Sequence, residues 1–213
     1  MSRSRYGRYT GLLGLVVLLA LILHSVLISP TDPTGIPPGQ RLAPFAVPLA
    51  LGSLPGDADI AVHADEGSNG RVPACAERGA QILNVCQLYE QGPVVLALFV
   101  DSGSCTKVLD QMQSLAPAFP GVRFAAVAIR GERGQLRKLV HARGLTLALG
   151  VDSDGAVAAL YKVFSCPQVN FSYPGGVVQS KALLGESTLA TLRARVSELV
   201  AASRARAHLE PPT

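Results

Sequence analysis

The sequence predicts an α/β domain carried outside a membrane by a single N-terminal anchor. Three observations predict it: an uncharged run of ~20 residues behind three arginines, four cysteines that all follow that run, and strand patterns alternating with helix patterns downstream. The 213 residues are 48% hydrophobic and 16% charged, which suits one globular domain plus accessory segments. The net charge of +4 is scattered and aromatics make up 5%, so no basic, aromatic stripe marks a nucleic-acid partner.

Arg3, Arg5 and Arg8 occupy the first nine residues, and "TGLLGLVVLLALILHSVLIS" follows without a charge. A charge-free stretch of this length fits a bilayer core, and the preceding arginines favour the cytoplasmic side, so everything from Pro30 onward is expected outside. The apolar run is long for a cleaved signal and lacks a small-x-small exit, which favours an uncleaved anchor over residues 10–29. His24 within it has no expected intramembrane partner and reads as a passenger. Residues 30–40 are proline-rich without hydrophobic periodicity and read as a semi-rigid stalk. The folded domain is expected over 41–204 and a short tail over 205–213.

Beyond the stalk, "FAVPLALG" and "DADIAVH" read as paired strands across a Gly/Pro turn, and "GSNGRVPACAERG" as loop. "ILNVCQLYEQG" reads as a short helix or irregular segment. The continuous apolar run "PVVLALFV" is a buried strand. "TKVLDQMQSLAPAF" places Val108, Leu109, Met112 and Leu115 at helical spacing until Pro117 breaks it. "VRFAAVAI" is a strand, "ERGQLRKLVHARG" a helix closed by Gly144, "LALGVD" a strand and "GAVAALYKV" a short helix. "QVNFSYPGGVVQSKALLG" reads as a strand hairpin turning at Pro174, Gly175 and Gly176. "STLATLRARVSELVAASRARA" reads as a closing helix with Ser187 and Thr188 as candidate caps.

Cys75, Cys86, Cys105 and Cys166 all fall in the compartment where disulfides persist, and four cysteines allow three pairings. Cys105 stands at a strand-to-helix turn, in "LFVDSGSCTKVLDQM", where the helix dipole stabilises thiolate. No second cysteine lies within three residues. Asp101 beside it is either a proton acceptor or a helix cap. Cys75 and Cys86 bracket a short loop that a bridge would stabilise by about 3 kcal/mol on the chain-entropy estimate. A structural clip is the expected role, with an electron relay to the other cysteines as the sharper alternative. His63, His141 and His208 show no ligand spacing, and no glycine-rich phosphate cradle follows a strand, so no metal and no cofactor is expected.

The order β-α-β then β-β-α, together with "GPVVLALFVDSGSCTKVLDQM" and "LALGVDSDGAVAALYKVFSCPQVNFSYPGGVV", resembles the membrane-anchored TlpA-type thioredoxins across about residues 40–203. The resemblance implies a thioredoxin-like fold, a central mixed sheet with helices on both faces. It also implies a cis Pro167 facing the Cys105 turn. In that family the turn carries C-x-x-C; here it reads "SGSC", so either Ser102 or Val108 stands where a cysteine belongs, and ordinary C-x-x-C exchange is absent. Cys166 directly precedes Pro167, and the resemblance implies that it neighbours Cys105.

The pair could then exchange with protein thiols or disulfides, with Cys105 attacking near Lys107, Cys166 resolving, and Pro167 and Ser102 contacting substrate. A static bridge and two unpaired thiols are the plain alternatives. Two further functions compete. One is a non-catalytic thioredoxin-like binding module with a degenerate turn. The other is a peroxiredoxin-like thiol peroxidase: Ser102 fits that family's motif three residues before the cysteine, Leu98 stands where its proline belongs, and a distant Arg130 would have to fold in.

Overall fold

The computed structural model describes residues 14–19, 34–56 and 72–209. Of the span expected over residues 10–29, only 14–19 are described, as helix; the remainder lies outside the described residues. Among the described residues no helix is long and apolar enough to cross a membrane.

The apolar run forms strand β3 (Val94–Phe99), flanked by two short strands before it, β1 (Ala46–Pro48) and β2 (Ile82–Asn84), the latter running directly into helix α1 (Val85–Gln91). After β3 come a 3₁₀ turn over Gly103–Thr106 and helix α2 (Lys107–Leu115), then β4 (Arg123–Ile129), α3 (Arg133–Arg143), β5 (Ala148–Asp152) and α4 (Ala156–Leu160). Strand β6 (Gln168–Ser172), a two-residue β7 (Leu183–Leu184) and the terminal helix α5 (Leu189–Leu209) complete the order. The five-stranded sheet runs β5-β4-β3-β6-β7, with β3, β4 and β5 parallel and β6 and β7 antiparallel to their neighbours.

Every residue of β3 is buried because both faces of the sheet are covered. Val95, Ala97 and Phe99 face a core shared with Leu109 and Met112 of α2, Leu136 of α3 and Leu192 and Val196 of α5. Val94, Leu96 and Leu98 face a second core containing Phe45, Leu83, Val85, Val157 and Tyr161. The alternation follows from the two-residue period of a strand.

The helix stops expected from sequence recur as geometry. Pro117 turns the end of α2 into a 3₁₀ segment over Ala116–Ala118, and Gly144 closes α3 at φ 58°. Of the two candidate caps for α5, Thr188 does the work: its Oγ1 accepts from the Thr191 amide at 3.1 Å. That helix continues through Leu209, past the expected start of the tail.

The partner of β1 is β2, with Val47 opposite Leu83, and the "DADIAVH" segment expected to pair with it lies outside the described residues. The segment "ILNVCQLYEQG" is both strand and helix, divided at Asn84, whose side chain accepts from the amides of Cys86 and Gln87 at 2.9 and 3.2 Å. Short strands of three residues carry too little periodicity to be read alone.

The β1–β2 pair lies along β5, where Leu49 bridges Gly150 and the Ala50 amide donates to Leu149 at 2.8 Å. A glycine in mid-strand is there for close approach: a Cβ on Gly150 would strike Val47 Cγ2 and come within 3.0 Å of Leu83 Cδ2. Gly150→Ala is therefore expected to cost about 1–3 kcal/mol by overpacking. Urea unfolding checks this, and an unchanged midpoint would show that the small sheet does not press on β5.

Candidate active site

The antiparallel register between β3 and β6 pairs Val94 with Ser172 and Leu98 with Gln168. Two residues further along the same ladder, Val100 comes opposite Cys166, and the Val100 amide donates to Cys166 Sγ at 3.2 Å. The chain then turns through Ser102, whose carbonyl accepts from the Cys105 amide at 3.2 Å, and presents Cys105 on the 3₁₀ turn ahead of α2. Cys105 and Cys166 are joined in a disulfide with Cα atoms 5.5 Å apart, and both residues are half-buried. The Cys166–Pro167 peptide bond is cis, and the buried Pro167 carbonyl accepts from the Gly185 amide at 2.8 Å.

Ser102, Cys105, Cys166 and Pro167 thus converge at one end of the sheet. Asp101 does not cap the turn, which has no side-chain cap. Lys107 is not turned over to the sulfurs: its Nζ pairs with Glu186 Oε2 at 3.3 Å. Hydrogen bonds from Ser104 and Lys107 hold the Glu186 carboxyl below its ordinary pKa. Glu186 is a site residue that the sequence reading missed, since 79 residues separate it from Lys107.

Cys75 and Cys86 form the second disulfide, with Cα atoms 5.4 Å apart. They pack with the core that holds Phe45 and Tyr161, whereas Cys166 packs against the core on the other face of the sheet. The two bonds are not neighbours, so the structure offers no adjacency for a relay. Asn84 reinforces the clip, donating to the carbonyls of Ala74 and Glu77 at 2.7 and 2.6 Å. Among the described residues no group of His, Cys, Asp and Glu is arranged to hold a metal ion.

A buried carboxylate lies two strands from β3. Asp152 ends β5, with Oδ2 accepting from the Ala158 amide at 3.2 Å and Oδ1 unpartnered. Burial is the main cause that pushes its pKa up from 3.8 to about 6, with the neighbouring Asp154 adding to the rise and the amides of Val157 and Ala158 opposing it.

No family model and no curated protein matches the sequence. Solved structures do. One designated a thiol:disulfide interchange protein DsbE, from Chlorobium tepidum, superposes with a TM-score of 0.57 at 13% identity, covering 79% of this chain and 98% of that one. Peroxidoxin BcpB from Mycobacterium tuberculosis gives 0.54 at 20% identity, covering 80% and 97%. A protein designated a thioredoxin, from Neisseria meningitidis, gives 0.54 at 16% identity, covering 62% and 90%. At these identities the likeness defines the fold: the domain is thioredoxin-like, a central mixed sheet with helices on both faces.

Asp152 generates a pH prediction. Its folded-state pKa is raised, so the charged form is penalised only in the folded protein; the penalty is absent below about pH 4 and grows as pH rises to about 6. Asp152→Asn should remove that loss of stability and be more stable at pH 7 by on the order of 1–2 kcal/mol. Urea titrations of both proteins at pH 4, 5, 6 and 7 test it, and a difference that does not change with pH would discard the assignment.

Proposed function

We propose that this chain is a membrane-tethered, extracytoplasmic thioredoxin-like protein that exchanges disulfides through Cys105 and Cys166. The observation that carries the reading is the half-buried disulfide between the turn ahead of α2 and the residue before Pro167, reachable from solvent at the end of the sheet. The disulfide-interchange name of one structural neighbour supports it.

In the reducing direction, the Cys105 thiolate attacks a substrate disulfide. A mixed disulfide forms and one substrate thiolate leaves. The Cys166 thiol, deprotonated, then attacks Cys105 Sγ, closes the intramolecular bond and releases the second substrate thiolate. Two electrons pass from the protein to the substrate. The reverse sequence, begun by a substrate thiolate on the closed bond, oxidises the substrate. The start of α2 favours thiolate on Cys105, while the Val100 amide gives Cys166 a donor as it leaves or attacks. No C-x-x-C is needed, because the register of β3 with β6 supplies the second sulfur.

Cys166→Ser is expected to leave a stable mixed disulfide on Cys105 when the reduced protein meets a peptide disulfide, and Cys105→Ser to leave none. Intact-mass spectrometry reads both. Normal turnover by Cys166→Ser would move resolution elsewhere, and exchange unaffected by either substitution would leave the binding-module reading.

The tether rests on Arg3, Arg5 and Arg8 ahead of an uncharged run over 10–29. Protease added to intact spheroplasts should digest the domain; full protection, with digestion only after lysis, would place it on the cytoplasmic side.

A further inference from the structure

Beside Cys166 lies an open groove of about 560 Å³ whose walls include Val100, Arg130, Gly155, Lys162, Phe164 and Cys166 itself. Three observations single it out. First, its lining contains two cations and no carboxylate. Neither Arg130 nor Lys162 has an ion pair among the described residues. Of the acids nearest to Arg130 and Lys162, Glu132 accepts from the Gly134 amide, Asp152 from the Ala158 amide, and Asp154 is engaged with Asp152 and with the Ala156 amide; none of them lines the groove.

Second, Arg130 and Lys162 are the two non-glycine residues with positive φ among the described residues, at 51° and 48°. Left-handed backbone is unfavourable for a long side chain bearing a β-carbon, and residues held there cluster at functional sites. Both strained positions carry a cation, and both cations border the same groove. Gly155 makes room for one of them: a Cβ there would come within 3.2 Å of Arg130 Nε. Third, Phe164 is 85% exposed and lines the groove together with Lys162 and Cys166, an apolar plate beside the resolving half of the disulfide.

We infer that this groove selects substrates by charge: it binds the acidic segment flanking the substrate cysteine, with carboxylates on Arg130 and Lys162 and an apolar residue against Phe164. The inference rests on the exchange reading above and adds to it the class of substrate, an acidic cysteine-containing peptide. Two exposed ion pairs together are worth about tenfold in binding at low salt, and screening reduces that gain as the Debye length shrinks.

The test uses the full chain and two peptide disulfides identical except that Asp and Glu beside the cysteine in one are Asn and Gln in the other. At low salt the reduced protein should react about tenfold faster with the acidic peptide. The ratio should approach one in about 0.5 M salt and in the Arg130→Asn/Lys162→Asn double variant, asparagine being the non-glycine residue that best tolerates left-handed backbone. Equal rates for the two peptides, or a preference that survives the double variant, overturns the inference and leaves exchange intact.

A small neutral disulfide separates the two claims. If the protein reacts with neither peptide nor with that compound, the exchange reading fails and the groove is decided by binding alone. Fluorescence anisotropy of labelled, cysteine-free versions of the peptides on the oxidised chain then reads it. Tighter binding of the acidic peptide that is lost in the double variant supports the groove, and equal binding overturns it.

Discussion

The antiparallel ladder joining β3 to β6 sets Leu98 against Gln168, and its continuation brings Val100 to Cys166. Because a strand's side chains alternate with period two, a slip of one residue would turn every β6 side chain to the opposite face. Val169 and Phe171 would leave one core, and Gln168 and Asn170 would exchange places with them. The burial of β6 on both faces therefore holds the register that holds the sulfurs. Chemistry and core packing are not separate layers here; one ladder serves both.

That dependence explains how a thioredoxin-like turn without C-x-x-C still presents two joined sulfurs. In a C-x-x-C turn the second sulfur comes from the next helical turn and needs only local geometry. Here it comes from a residue 61 positions later, delivered by a strand. The turn itself is left to position one cysteine, and Ser102 and Ser104 occupy its remaining corners. Ser104 and Lys107 meet Glu186 there, which neutralises the face on that side of the disulfide, while the side toward Arg130 and Lys162 keeps its positive charge.

Much of this architecture is legible in the chain. The run over 94–99 is apolar at every position because both of its faces are covered, and Pro117, Gly144 and Thr188 mark helix ends by mechanisms visible in single residues. What is not legible is non-local. The three-residue strand at Ile82–Asn84 has no periodicity to show, and its pairing with Ala46–Pro48 crosses a long intervening segment. The Cys105–Cys166 neighbourhood followed from resemblance, since register is a property of two strands and not of either sequence. The left-handed backbone at Arg130 and Lys162 leaves no trace either, because arginine and lysine are not the residues that turn chemistry favours.

The Cys105–Cys166 bond also makes a ring. It encloses α2, β4, α3, β5 and α4 in one covalent circuit whose two ends meet between β3 and β6 at one end of the sheet. Pulled from its termini, the oxidised domain transmits tension straight from the β3 exit to the β6 entry across the two sulfurs. The enclosed residues then carry no load, and a backbone cut anywhere within them releases no fragment. Once the bond is open, the same force runs through every element between the cysteines. The oxidation state of one pair thus decides how much of the chain is mechanically in series.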